Sequence, residues 1–318
     1  GKVPQAAGRD KVPSTAGPET RTSSRGPTPG GRRKPDIAAP GVSIHSTDNS
    51  WETTLDFVSY SGTSMAAPHV AGALTLLLDS GIYEPLAQKA LLLNTAEDMG
   101  DPGWDAAYGW GYIDLDHAYF HRDDWFSDDV QATDPDYKLF KGSAYSDDTA
   151  TLVWNRRAAY AGSGYPSTYY DLSDLDLLLY DETDNSLIGS SMYVNENVEQ
   201  VEVDASYPQV VLKVDVWGTF DGATYEDFAL ATEEGFSTAT GPAFSLGTSN
   251  YNKNVGDTFT VAVVANNTGD VAAHNVSVSL SPPAGLTLVS GANPQPLGTI
   301  AGGGNATASW VVRVDSAG

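Results

Sequence analysis

Ser64 stands in the stretch SGTSMAAPHVAG (Ser61–Gly72), between a Gly-Thr turn and a run of small residues, with His69 five positions later. A hydroxyl and an imidazole in one stretch suggest acyl transfer, in which the imidazole takes the hydroxyl proton and the oxygen attacks a carbonyl carbon. Geometry argues against His69 as that base. If both residues are helical, five positions at about 100° each set the side chains about 140° apart around the axis. His69 is then expected to point into the core while Ser64 faces a cleft. Three features nevertheless favour a nucleophile at Ser64. First-turn N–H groups have no intrahelical partner and can donate to a developing oxyanion. The positive end of the helix dipole stabilises the same charge. The small neighbours Gly62, Ala66 and Ala67 allow close approach of a substrate backbone. On helix statistics alone, Ser64 reads first as a plain N-terminal helix serine and only second as a nucleophile.

Several elements must position this serine. Residues 1–33 are Pro, Gly, Ser, Thr and Arg with almost nothing large and apolar, and read as irregular. PDIAAPGVSIHS (Pro35–Ser46) contains a short extended stretch broken at Pro40-Gly41, and Phe57–Tyr60 is a second one leading into Gly62. A helix follows, capped by Ser61 or Thr63, with Pro68 tolerated only near its first turn. AAPHVAGALTLLLD is apolar nearly all round, which predicts a buried helix ended by Gly81. A second helix is expected over Pro85–Ala96. From about Asp123 the texture becomes period-two strands: ATLVW (Ala150–Trp154), DLDLLLY (Asp174–Tyr180), VEQVEVD (Val198–Asp204) and VVLKVDVW (Val210–Trp217). No helical pattern occurs after Phe126. Near Thr238–Gly241 the turn chemistry shifts again, and TFTVAVVANN, VSVSLSPPAG, LTLVSG and ASWVVRV suggest a small β-sandwich.

Composition narrows the function classes. The 318 residues carry a net charge of −24, unevenly placed: residues 1–34 hold eight of the 17 Lys/Arg and two of the 41 Asp/Glu. The acidic remainder repels phosphate backbones, so no nucleic-acid partner is expected. The basic start reads as a solvated linker. With no cysteine, neither disulfides nor thiolate metal sites are available. No apolar run approaches the roughly 20 residues of a membrane span. The first residue is Gly1, without an initiator Met or a charged-then-apolar leader, which suggests a piece of a longer protein.

The longer string decides between the readings of Ser64. GTSMAAPHVAG resembles the active-serine segment of the subtilisin-like serine proteases, the subtilases. SSRGPTPGGRRKPDIAAPG (Ser23–Gly41) resembles the stretch preceding that serine, and LLLNTAED (Leu91–Asp98) and YGWGYIDLDHA (Tyr108–Ala118) resemble the segments that finish the catalytic domain. The resemblance implies that Ser64 is the nucleophile, that its N–H is half of the oxyanion hole, and that Gly62, Thr63, Met65 and Pro68 support the motif. It implies a serine endopeptidase acting on protein or peptide substrates, needing no cofactor for chemistry, and extracellular. In the family the histidine of PHV is structural. His45, His117, His121 and His274 do not lie in the Asp-Gly or His-Gly-Thr contexts that hold the triad partners, and no such string precedes Ser64. The triad Asp and His and the oxyanion Asn are therefore expected outside this chain, leaving it inactive alone and residues 34–120 poorly packed.

Residues 123–237 resemble the jelly-roll domain that follows some subtilase cores, through ATLVWNRR, DLSDLDLLLYD, NENVEQVEV, VVLKVDVW and YEDFALA. Within it, Asp174 and Asp176 share a strand face. With Asp171 and Asp181 they read either as hard oxygen ligands for structural calcium or, more plainly, as the solvated acidic edge of an acidic protein. Residues 238–318 resemble an Ig-like module, through VGDTFTVAVVANNTGD and PPAGLTLVSG. Three N-x-S/T triplets there, at Asn266, Asn275 and Asn305, read as chance. The fold expected is thus a truncated α/β catalytic domain (34–122) after an irregular stretch (1–33), then all-β: a jelly-roll β-sandwich and an Ig-like β-sandwich. The rival reading is a non-catalytic surface or adhesion protein whose β modules bind glycan or protein. Substrate specificity and oligomeric state are not readable.

Overall fold

Backbone contacts divide the chain into two units, Gly1–Ser127 with Ala229–Ala231 and Asp128–Phe228 with Thr232–Gly318. The computed structural model describes residues 23–49, 56–132, 136–160, 162 and 166–316. The first 22 residues of the basic stretch lie outside these.

In the first unit, β1 (Ile44–Thr47) and β2 (Phe57–Tyr60) pair antiparallel with Ile44 opposite Tyr60. Helix α1 (Thr63–Asp79) starts directly after Gly62, helix α2 spans Pro85–Asn94, and α3 spans Leu115–Phe120. Local chemistry explains α2. Pro85 opens it, where the missing N–H costs nothing, and the Glu84 carboxylate ahead of it accepts from Leu86 N at 3.2 Å. Asp114 caps α3 in the same way, accepting from His117 N at 2.9 Å.

Burial differs from expectation in both helices. α2 is buried on nearly every side, from Leu86 through Asn94, so the expectation of loose packing over 34–120 fails there. In α1 only Ala73 and Leu77 are buried, while Leu76 and Leu78 are 55% and 43% exposed. Its composition is that of a helix covered all round, but no neighbouring element covers that side among the described residues. No parallel sheet forms in this unit among those residues. The parallel contact present is a single bridge, Ala38 to Tyr112.

Among the described residues, the second region consists of strands joined by turns, with no helix. It runs β3 (Trp125–Gln131), β4 (Tyr137–Ala144), β5 (Thr149–Trp154), β6 (Ala158–Tyr160), β7 (Pro166–Tyr169), β8 (Asp174–Asp181), β9 (Leu187–Ser191), β10 (Val198–Glu202), β11 (Tyr207–Trp217), β12 (Tyr225–Thr232) and β13 (Ser237–Ala239). Their sheets have the orders β10-β5-β12-β3 and β13-β4-β11-β8-β9, with β6-β7 as a separate ribbon. Between them lies an apolar core of Trp154, Phe140, Phe228, Leu177 and Leu212, each under 2% exposed. Then come β14 (Phe244–Thr248), β15 (Thr258–Asn267), β16 (Ala273–Val278), β17 (Leu286–Ser290), β18 (Gln295–Ile300) and β19 (Asn305–Val314). These pair as β14-β15-β19-β17 and β16-β18, over a core around Trp310.

The strand β8 corrects one sequence reading. Its pattern DLDLLLYD suggested one wet face, yet Leu175 through Leu179 are all buried, Asp176 included. Asp176 lies opposite Asp215 of β11, and Asp174 opposite Trp217. Burial, then the neighbouring Asp174 and Asp215 charges, push the Asp176 carboxyl up to about 6. The four carboxylates proposed for calcium do not converge. Among the described residues, no three of Asp171, Asp174, Asp176 and Asp181 form a ligand cluster. Asp174 and Asp181 sit at opposite ends of the strand, seven residues apart at about 3.3 Å each.

The raised Asp176 value has a consequence for stability. Between the ordinary carboxyl value and about 6 the folded state holds a proton that the unfolded state releases, so stability falls as pH rises through that window. Above it the full penalty persists. Asp176→Asn is expected to flatten this slope and to stabilise the protein at pH 7 by on the order of 2 kcal/mol. Urea unfolding at pH 4.5 and pH 7 measures both effects, and an unchanged slope would count against them.

Candidate active site

The turn before Ser64 is held from two directions. The segment Pro35–Gly41 docks on Tyr108–Ile113: Ala38 N–H donates to Gly111 O (2.8 Å), Ile113 N–H to Ala38 O (2.9 Å) and Trp110 N–H to Asp36 O (2.9 Å). Trp104 adds its indole N–H to Pro35 O at 3.0 Å. Lys34 pairs with the Asp36 carboxylate at 2.6 Å and Lys89 of α2 approaches it at 3.4 Å. Burial, the largest influence on Lys89, lowers its pKa, while the Asp36 charge opposes that shift. At the end of the docked segment, Gly41 O accepts the Gly62 N–H at 2.7 Å. The β1–β2 hairpin supplies the other support, where Ser43 N–H donates to Ser61 Oγ at 2.8 Å.

This clasp changes the cap. Neither Ser61 nor Thr63 caps α1: Gly62 occupies that position without a side-chain bond, and the Ser61 hydroxyl is committed to Ser43. Gly62 sits at φ 154°, an angle that L side chains rarely adopt. Gly62 O then accepts from Met65 N–H at 3.0 Å and more weakly from Ala66 N–H at 3.4 Å. The N–H groups of Thr63 and Ser64 have no protein partner among the described residues. Ser64, the second residue of the helix, is exposed. Pro68 is the sixth residue of α1, a turn deeper than expected. Having no N–H, it leaves the Ser64 carbonyl without its usual partner four residues on. Ser64 thus presents a free amide donor, a released carbonyl and an exposed hydroxyl at the positive end of a helix.

Among the described residues, each of the five histidines is engaged by partners other than Ser64. His69 is exposed rather than buried in the core, because that side of α1 has no cover, and its Nδ1 lies 2.8 Å from Met65 O on its own helix. His45 contacts Ser59 Oγ at 3.1 Å and stacks on Phe57. His117 Nδ1 faces Thr95 O at 3.3 Å, and His121 pairs with Asp124 at 3.0 Å. His274 is held by Glu182 O and Thr299. The supports Gly41, Ser61, Gly109 and Gly111 escaped the sequence reading. The doublet Gly109-x-Gly111, flanked by aromatic residues, was the available signal. A Cβ on Gly109 would lie 2.5 Å from two backbone carbonyls, and one on Gly111 would lie 2.5 Å from Glu97 O.

Comparison with known proteins supplies the rest. A family model described as the subtilase family matches residues 14–111. Residues 14–111 belong to the subtilase family. The subtilase segment thus includes the clasp up to Gly111, α1, α2 and all of Gly62, Thr63, Ser64, Met65 and Pro68. A second model, NPCBM-associated, the NEW3 domain of alpha-galactosidase, matches residues 254–317, the region of β15 to β19. Pyrolysin of Pyrococcus furiosus is 39% identical over 103 residues, covering 30% of this chain and 7% of pyrolysin. An extracellular protease of Xanthomonas campestris pv. campestris is 43% identical over 89 residues, 26% of this chain and 15% of that protein. The chain therefore spans only a small part of the relatives that its subtilase segment matches. The crystal structure of fervidolysin from Fervidobacterium pennivorans, a keratinolytic enzyme related to subtilisin, covers 92% of this chain and 47% of its own at 14% identity. Its TM-score of 0.26 is too low to align the two folds.

Proposed function

We propose that this chain is part of an extracellular subtilisin-like serine endopeptidase in which Ser64 is the nucleophile. The observation that carries the reading is the exposed Ser64 hydroxyl beside an unpaired Ser64 N–H at the start of α1, inside the subtilase segment. In the proposed reaction Ser64 Oγ forms a bond to the peptide carbonyl carbon while its proton passes to a histidine. The oxyanion is met by the Ser64 N–H, the C–N bond breaks with the proton going to the amine, and water releases the acyl group. The histidine, its aspartate and the second oxyanion donor lie outside these 318 residues, so the chain alone is inactive. The apolar surface left open on α1 and on Phe57 and Tyr60 of β2 supports this reading, since the remaining catalytic domain would cover it. In the same proposal the strands of 123–237 form a jelly roll, those of 238–318 an Ig-like sandwich, and the protein is secreted, as the extracellular relatives suggest. Casein hydrolysis by the natural polypeptide that carries this segment is the test. Ser64→Ala is expected to lower kcat by on the order of 10⁶, the loss measured in subtilisin itself. Retained turnover would overturn the assignment.

A further inference from the structure

A cleft of about 310 Å³ opens in the second unit where β4, β8 and β11 meet the segment Val271–His274. Its floor holds Glu182, which is 92% buried by its 8% exposure. Glu182 Oε1 is doubly met, by Lys141 Nζ at 2.7 Å and by Ala272 N–H at 3.1 Å. Its Oε2 is buried and has no hydrogen-bond partner among the described residues. Buried carboxylate oxygens are rarely left so, because the desolvation is then uncompensated.

The charges around the cleft point the same way. Asp181 also lines it, with Oδ1 accepting from Thr183 N–H at 2.7 Å. Lys213 is taken by Asp215 at 2.6 Å and lies 5.0 Å from the Tyr137 ring centre. His274 is committed on both ring nitrogens, to Glu182 O at 3.0 Å and Thr299 Oγ1 at 3.2 Å. Of the lining carboxylates, Glu182 takes Lys141 from beside the cleft, while the lining Lys213 is held by Asp215 outside it, so among the described residues Asp181 is left one cation short. The walls beside this deficit are apolar and aromatic, from Leu139, Val211, Pro242 and Tyr180. An alkyl chain ending in one positive charge matches both halves, its stem on the walls and its head on the carboxylates. The net charge of −24 draws such ligands from a distance.

We infer that this cleft binds a lysine or arginine side chain of an extended peptide, the charged head completing Glu182 Oε2. The inference does not depend on Ser64, and the chain as it stands serves for its test. The probe is the peptide acetyl-Gly-Arg-Gly-amide, titrated into ¹⁵N-labelled chain, with its citrulline counterpart and maltose as comparisons. Saturable binding with a shift of the Ala272 amide, which donates to Glu182, is expected. The citrulline peptide should bind at least about tenfold more weakly, as should the arginine peptide to Asp181→Asn and to Glu182→Gln. Asp181→Asn leaves the Lys141–Glu182 contact in place, so it reads binding even if Glu182→Gln disturbs the fold. Equal affinity for citrulline, full affinity in Asp181→Asn, or the Ala272 shift produced by maltose or potassium chloride alone would each overturn the inference.

Discussion

Treated with a fluorophosphonate probe, the 318-residue chain is expected to label at Ser64 only at the rate of an unactivated serine. The shortfall against a complete subtilase should reach several orders of magnitude, toward the order of 10⁶ found when the histidine of subtilisin is removed. The reason lies in the surroundings of Ser64. A free first-turn N–H and a favourable helix end are in place, but neither removes the hydroxyl proton. The nearest histidine in sequence, His69, has its Nδ1 engaged with Met65 O. Mass spectrometry of the labelled chain, with Ser64→Ala as the blank, gives the rate and the position. Labelling within minutes, on the scale of an intact protease, would show that a base exists within this chain and would refute the requirement for outside partners. Labelling at another serine would leave Ser64 without its proposed role.

Gly109→Ala is expected to destabilise the first unit by about 3 to 5 kcal/mol. Two costs act together there. The backbone is left-handed at φ 70°, which disfavours any side chain by about 1–3 kcal/mol. The added Cβ would also meet the backbone carbonyls of Pro35 and Asp36 at 2.5 Å, and neither can move without lifting the docked segment off Trp110. That segment ends at Gly41, whose carbonyl holds Gly62, so the damage travels to the turn before Ser64. Gly81→Ala makes the comparison: its φ is 105° but nothing lies within 4 Å of the new Cβ, so only about 1 kcal/mol is expected. Urea unfolding followed by the fluorescence of Trp104 and Trp110 measures both. A Gly109→Ala loss no larger than that of Gly81→Ala would remove the clasp from the account of the site.

Much of the element map was legible because it rests on local rules. TFTVAVVANN is β15, Thr258–Asn267, and VVLKVDVW falls within β11, since alternation of apolar and polar residues fixes a half-buried strand. Pro85 with Glu84 set the start of α2 within a single turn of chain. Elsewhere the local rule was outweighed. β4, YKLFKGSA, lacks strict alternation and was not foreseen, and β8 is buried on both faces, so its aspartates are not an edge. Ser61 resembled a cap, but Gly62 takes the cap position and the Ser61 hydroxyl accepts instead from Ser43 N–H, 18 residues away. These failures share one cause: each depends on which strand or turn lies alongside, at separations of tens of residues.

The sequence by itself determined the family resemblance of residues 14–111, through a serine in an eleven-residue string, GTSMAAPHVAG, whose order no packing argument could supply. It also set His69 aside as the base, because helical rotation turns it away from Ser64. Only the tertiary structure decided how Ser64 is held and what is left open around it. The Gly41–Gly62 bond, the glycines that let two backbones meet at Gly109 and Gly111, and the bare side of α1 are contacts between distant segments. So is the orphaned oxygen of Glu182, since burial and hydrogen bonding are settled by neighbours brought together in space rather than by neighbours in the chain.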